Sequence, residues 1–291
     1  MKTFGWIIGL ALAAMLAVSC SPKKETQKML VLYYSQTSNT KAVANEIATK
    51  VGADIEEVVA VDPYNGDFQA TIERCMKERD EGIIPEIKPI AADIAKYDVI
   101  FIGYPIWFGT YAPPIAAMLD KVDLSGKKVV PFCTFGSGGL ESSIKDLKAK
   151  QPKAEILDGY GVRAARMSAM PKEVDEFLKA GGFIEGECTK LEPFPEQHPV
   201  SEEETAIFNA AVGDYPMMNA QAIAVAQRNV PDGVEYLFTA KDLPREPKPD
   251  MPAPGNAKPD DKKPSMPPPG EMKVYVLVAN GEAPVFTRVV R

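Results

Sequence analysis

The stretch Met29-Leu-Val-Leu-Tyr-Tyr-Ser-Gln-Thr-Ser-Asn-Thr-Lys-Ala-Val-Ala-Asn-Glu-Ile-Ala48 contains the unit from which the first part of the chain is built. Met29 to Tyr34 is a short, nearly continuous apolar run, as expected of a strand buried on both faces. Lys41 to Val51 then places apolar residues at helical spacing. Between the two lies Ser35-Gln36-Thr37-Ser38-Asn39-Thr40, a turn of small polar residues at the start of a helix. Such a turn presents successive backbone N–H groups and hydroxyl donors where the helix dipole favours an anion, so phosphate is its natural ligand. The competing reading is that Ser35, Thr37, Ser38 and Thr40 only cap the helix.

The same alternation continues outward. Strand-like runs at Ala53–Val59, Val99–Tyr104, Lys128–Thr134 and Ala154–Tyr160 are separated by helical stretches at Gln69–Glu81, Ala112–Val122, Gly139–Lys150 and Lys172–Ala180. Strand and helix in strict alternation predict an α/β fold, a doubly wound five-stranded parallel sheet covered by helices on both faces. After Leu191 the texture changes to one helix, Ser201–Ala211, followed by strands at Ile223–Arg228, Glu235–Thr239, Lys273–Ala279 and Pro284–Arg291. These predict a small α+β domain over 189–291, following a first domain over 28–188. Residues 244–270 hold ten prolines and many charges, which reads as a long loop or hairpin tip within the second domain, a linker being the competing view.

Two further loops follow predicted strands. In Gly103-Tyr-Pro-Ile-Trp-Phe-Gly109, Pro105, Ile106, Trp107, Phe108 and Gly109 put apolar bulk where a loop is normally wet, which suits a flat ligand or, alternatively, a protein interface. In Thr134-Phe135-Gly136-Ser137-Gly138-Gly139, the glycines allow main chain close to a planar ring, although alone they also suit a plain turn. Three loops at the same ends of three parallel strands form the crevice where doubly wound sheets bind ligands.

Together these segments resemble the flavodoxin family over roughly residues 28–188, in particular the branch with a Tyr-Pro-Ile-Trp loop and an Asp-Pro-Tyr segment, here Asp62-Pro63-Tyr64. The resemblance implies FMN as cofactor. Ser35, Gln36, Thr37, Asn39 and Thr40 would bind its phosphate, Trp107 would flank the ring, and Thr134 to Gly138 would line the polar edge. Where the family usually has glycine, this chain has Ser38, whose side chain would either crowd the phosphate or impose an unfavourable backbone angle. Ala222 to Phe238, after a helix and before a hairpin, is similar to cystatins, with Gln227–Gly233 at the place of their inhibitory hairpin. A structural or partner-docking role is the main expectation for that domain.

The N-terminus resembles a bacterial lipoprotein signal: Met1-Lys2, an apolar run from Phe4 to Val18, then Leu16-Ala17-Val18-Ser19-Cys20. This implies removal of residues 1–19, a lipid on Cys20 that holds the protein to a membrane, and a polar tether over 20–27. The expected location is the cell envelope, the outer membrane somewhat favoured because Ser21 does not resemble an inner-membrane retention signal. The competing reading is an ordinary signal or an uncleaved anchor.

The formal charge of −7, from 33 basic and 40 acidic residues, argues against nucleic acid as a partner. Besides Cys20 the cysteines are Cys75, Cys133 and Cys188, a set without the spacing of a disulfide framework or zinc site. The single histidine, His198, lies outside the first domain and reads as an exposed loop residue. No side-chain nucleophile, acid–base pair or metal cluster stands out, which agrees with redox chemistry carried by a flavin ring. The expected function is therefore electron transfer or a small quinone-reductase-like oxidoreductase activity, with a protein or a quinone as redox partner. The alternative is an envelope binding protein that keeps the fold without using flavin.

Overall fold

The computed structural model of the protein describes residues 27–65, 67–213, 215, 218–243 and 270–291. The signal sequence, Cys20, most of the tether and the proline-rich segment at 244–269 lie outside the described residues. The first domain contains β1 (Met29–Tyr33), α1 (Asn39–Val51), β2 (Asp54–Glu57), α2 (Phe68–Glu81), β3 (Val99–Trp107), β4 (Thr110–Tyr111), α3 (Pro113–Lys121), β5 (Lys128–Phe135), α4 (Leu140–Lys150), β6 (Glu155–Ile156), β7 (Tyr160–Arg163) and α5 (Met170–Ala180).

Its sheet runs β2-β1-β3-β5, with β6 and β7 both paired to β5, and the main ladders are parallel. Alternate residues of the central strands feed two cores. Leu30, Leu32, Ile100, Ile102 and Tyr104 meet Ile115 and Met118 of α3 and Leu147 of α4. On the other face Val31, Tyr33, Phe101, Val130 and Phe132 meet Val43 and Ile47 of α1 and Val174 and Leu178 of α5. Burial on both faces is why these strands read as continuous apolar runs.

Within the first domain, two strands depart from expectation by more than one or two residues at an end. The fifth, expected as Ala154–Tyr160, is broken into β6 and β7. Val129 pairs with Ile156 but Phe132 pairs with Tyr160, so the outer strand carries one extra residue between them. Pro131 lies at the break and has no N–H to donate, while a side chain at Gly159 would come within 2.7 Å of the Pro131 carbonyl oxygen. The third strand, expected to stop at Tyr104, runs on to Trp107. It turns back through Phe108-Gly109, and Ile106 and Trp107 pair antiparallel with Tyr111 and Thr110. Half of the expected ring loop is thus a small hairpin. Both of its turn residues have positive φ, 52° at Phe108 and 84° at Gly109, the combination of a type I′ hairpin turn.

The second domain contains β8 (His198–Pro199), α6 (Glu202–Val212), β9 (Ala220–Val230), β10 (Gly233–Asp242), β11 (Glu271–Ala279) and β12 (Val285–Val290). The antiparallel sheet has the order β12-β11-β10-β9-β8. Phe208 and Val212 of α6 pack on Val225, Phe238, Val274, Val276 and Phe286. A Ser201–Glu204 capping box starts α6. His198 is exposed, as expected, but sits in the short edge strand β8, with its Nε2 3.5 Å from a Glu204 carboxylate oxygen. Among the described residues no helix is long and apolar enough to cross a membrane.

Candidate functional site

The strand order reverses between β1 and β3, and the three loops singled out in the sequence gather at that edge of the sheet. The first is the β1–α1 turn. Ser38 stands at the N-cap of α1 with φ 66° and ψ −5°, and its hydroxyl makes no capping bond. Of the two consequences expected of a serine here, the unfavourable backbone angle is the one found. A left-handed non-glycine residue costs about 1–2 kcal/mol, and such strain concentrates at ligand sites. Capping accounts for only part of the turn: the Lys41 amide donates to Ser35 Oγ at 3.2 Å. Thr37 and Ser38 are exposed, while Ser35 and Asn39 are half-buried.

Two members of the turn point elsewhere. The Gln36 amide nitrogen donates to the Tyr64 carbonyl and to Thr71 Oγ1, each at 2.9 Å, tying the turn to the segment ahead of α2 and to α2 itself. Thr40 is 1% exposed and its hydroxyl lies 2.8 Å from that of Thr134, joining the first loop to the third beneath the surface. The side chains of Gln36 and Thr40 are therefore engaged within the protein.

Beside this turn lies a cavity of about 600 Å³, within the range of small-molecule pockets. Gln36 borders it, and Ile106, Trp107, Phe108, Gly109, Gly136, Ser137 and Gly138 also line it. Ser35, Thr37, Ser38, Asn39 and Thr40 lie outside the cavity, as do Pro105, Thr134 and Phe135. Phe135 is turned into the core. Trp107 is half-buried and meets Tyr64 edge-on at 5.2 Å and Tyr34 at 5.8 Å. Tyr64 is fixed in turn: its hydroxyl donates to Glu78 at 2.6 Å, and the Arg74 guanidinium lies 3.8 Å from its ring centre and donates to the same carboxylate. Burial, and then Glu78, push the Tyr64 phenol well above its ordinary pKa, so it stays neutral. Phe108 is 55% exposed at the hairpin tip. Its positive φ adds a second strained position beside the cavity.

Sequence reasoning missed several cavity residues. Thr71, Ile72 and Cys75 come from α2, Glu141 and Ser142 from α4, and Tyr215, Val289, Val290 and Arg291 from the second domain. The helical period of α2 was legible, but nothing local says that this face looks into a cavity. Burial pushes the Cys75 thiol up to about 11, with Glu78 adding to the shift, which keeps it a protonated wall residue rather than a nucleophile.

With this geometry in place, the comparison with known families decides the relationship. The flavodoxin family model matches residues 28–176, just over half of the 291-residue chain. The chain belongs to the flavodoxin family. Among curated proteins, this flavodoxin-family chain is 32% identical over 137 residues to an uncharacterized protein of Methanocaldococcus jannaschii, covering 46% of this chain and 73% of that one. It is 33% identical over 140 residues to NAD(P)H dehydrogenase (quinone) 3 of Rhizobium meliloti, covering 40% of this chain and 58% of the relative. Among solved structures it is similar to a Bacteroides eggerthii protein provisionally designated a flavoprotein, with 30% identity, a TM-score of 0.48 and coverage of 53% of this chain and 97% of that chain. It is also similar to a Lactobacillus acidophilus flavoprotein solved in complex with FMN, with 26% identity, a TM-score of 0.43 and coverage of 46% and 93%.

The cofactor implied by the family, FMN, fits the residues present. An uncapped helix N-terminus offers main-chain donors to a phosphate, and an adjoining cavity walled by Ile106, Trp107 and Phe108 offers apolar and aromatic surface to a ring. Among the described residues no group of His, Cys, Asp and Glu side chains is arranged to hold a metal ion.

Proposed function

We propose that this protein is an FMN-dependent electron-transfer protein or small oxidoreductase of the cell envelope, anchored through a lipid on Cys20 and exchanging electrons with a quinone or a protein partner. The observation that carries the reading is the pairing, at the switch point of a flavodoxin-family sheet, of the uncapped α1 N-terminus with the Trp107-walled cavity. Bound FMN supplies the one- and two-electron redox chemistry. The chain's own residues bind and orient it: main-chain N–H groups of the Ser35–Thr40 turn hold the phosphate, and Trp107, backed by Tyr34 and Tyr64, offers a fixed aromatic surface. The Gly136–Gly138 main chain lines the polar edge. The relative named NAD(P)H dehydrogenase (quinone) supports a quinone as acceptor.

The test uses residues 21–291 expressed without the lipid and titrated with FMN while flavin fluorescence is followed. Stoichiometric quenching at micromolar protein is expected, and its absence would sink the reading. The second reading, an envelope binding protein that uses no flavin, draws on the inward engagement of the Gln36 and Thr40 side chains and the serine at position 38. It gains only if the FMN titration fails while the chain remains folded.

A further inference from the structure

The two domains meet at the third loop of the crevice. The Val289 amide of β12 donates to the Ser137 carbonyl at 2.7 Å, and Gly138 and Val289 form a parallel bridge between the domains. The approach is so close that a side chain at Gly138 would put its Cβ 2.1 Å from the Val289 carbonyl oxygen. Arg163, at the end of β7, fastens the same junction from below. It is 9% exposed, donates through Nε to the Gly136 carbonyl at 2.7 Å and through Nη1 to the Phe286 carbonyl at 2.9 Å, and lies 3.4 Å from the centre of the Phe286 ring. Tyr215 closes over it, 5.5 Å from the guanidinium, with its ring edge-on to Phe286.

A buried guanidinium whose hydrogens go to neutral carbonyls has surrendered its hydration shell. The burial lowers its pKa, although the group remains charged. The arrangement holds together only while both carbonyls, one from each domain, stay in place.

We propose that the second domain is a fixed wall of the flavin-ring pocket, and that Arg163 is the positioning residue that couples its docking to FMN binding by holding the Gly136–Gly139 loop in the ring-accepting conformation. This inference rests on the FMN reading above. It assigns the second domain a role inside the crevice, where Tyr215, Val289, Val290 and Arg291 complete the lining, rather than one confined to recruiting a partner elsewhere. Docking and FMN binding are then thermodynamically linked, each strengthening the other.

The test compares the wild-type chain (residues 21–291) with Arg163→Met, Arg163→Lys and Gly138→Ala, measuring FMN affinity by fluorescence quenching and the visible circular dichroism of the bound flavin. Methionine keeps length and apolar contact but takes the guanidinium donor away from both the Gly136 and the Phe286 carbonyls. It should weaken FMN about tenfold or more and diminish the flavin dichroism, because bonds to a charged group contribute strongly and each tenfold is one modest step in free energy. Lysine, able to serve one carbonyl, should recover part of both signals. The added methyl of Gly138→Ala acts as a wedge against Val289 and should reproduce the loss without touching Arg163, which covers the case in which Arg163→Met does not fold. Folded Arg163→Met and Gly138→Ala proteins with wild-type FMN affinity and unchanged dichroism would overturn the proposal while leaving the FMN reading intact. Wild-type protein that binds no FMN would overturn both.

Discussion

Ser38→Gly is expected to stabilise the protein, the reverse of what replacing a helix N-cap serine usually does. Loss of an N-cap hydroxyl destabilises when that hydroxyl caps, but here it makes no capping bond and the residue sits at φ 66°. Relief of the left-handed conformation is worth about 1–2 kcal/mol, and the extra freedom glycine gives the unfolded chain takes back about 0.5–1 kcal/mol. The net gain lies between about 0 and 1.5 kcal/mol, centred on about 0.5–1 kcal/mol. With a urea slope of about 2–3 kcal/mol per molar, the unfolding midpoint should rise by about 0.2–0.5 M at unchanged slope. Ser38→Asn should fall between serine and glycine, since asparagine tolerates this region, and Ser38→Val should lower the midpoint because a β-branched side chain does not. FMN affinity of the glycine variant should stay within about threefold of wild type, as the backbone donors are unchanged and affinity moves tenfold only for about 1.4 kcal/mol. A glycine variant less stable than wild type, with a valine variant no worse, would refute the argument from backbone strain. A large loss of FMN affinity on glycine substitution would instead mean that the hydroxyl itself binds the phosphate.

Trp107→Ala should weaken FMN about three- to tenfold through lost ring contact, measured by fluorescence quenching; unchanged affinity would place the ring elsewhere. In the folded Cys20→Ser chain at pH 8, iodoacetamide should modify Cys188, which is partly exposed, and spare Cys75 and Cys133, which should react only after unfolding; mass spectrometry reads the count. The raised Cys75 thiol also carries a pH dependence. The unfolded chain ionises first, so this contribution to stability is whole below about pH 9 and fades as pH rises towards about 11, which urea midpoints across that range would reveal. In cells, Cys20→Ser should abolish incorporation of labelled fatty acid and move the protein from the membrane to the soluble fraction; retention of both label and membrane association would disprove anchoring at that residue.

Much of the first domain was legible in the sequence because its strands are buried on both faces and its helices carry apolar residues at the helical period, signals confined to ten or so neighbouring residues. The three crevice loops were legible for the same reason, each being the turn that follows an apolar run. Ser38 could be flagged too, since a serine in a glycine place is a local fact.

Tertiary structure alone decided which side chains face the crevice. Gln36 and Thr40 sit in the phosphate turn by sequence, yet their side chains are drawn to Thr71 and Thr134, partners 35 and 94 residues away. Pro105 to Trp107 read as loop until the Phe108–Gly109 turn folds Ile106 and Trp107 into a hairpin with Tyr111 and Thr110. The second domain, expected as a small α+β domain with a structural or partner-docking role, brings Tyr215, Val289, Val290 and Arg291 to the cavity. That contact depends on Arg163 meeting the Phe286 carbonyl across 123 residues of chain. Local periodicity reports which face of an element is apolar; it cannot report which distant backbone carbonyl will be waiting when that face is buried.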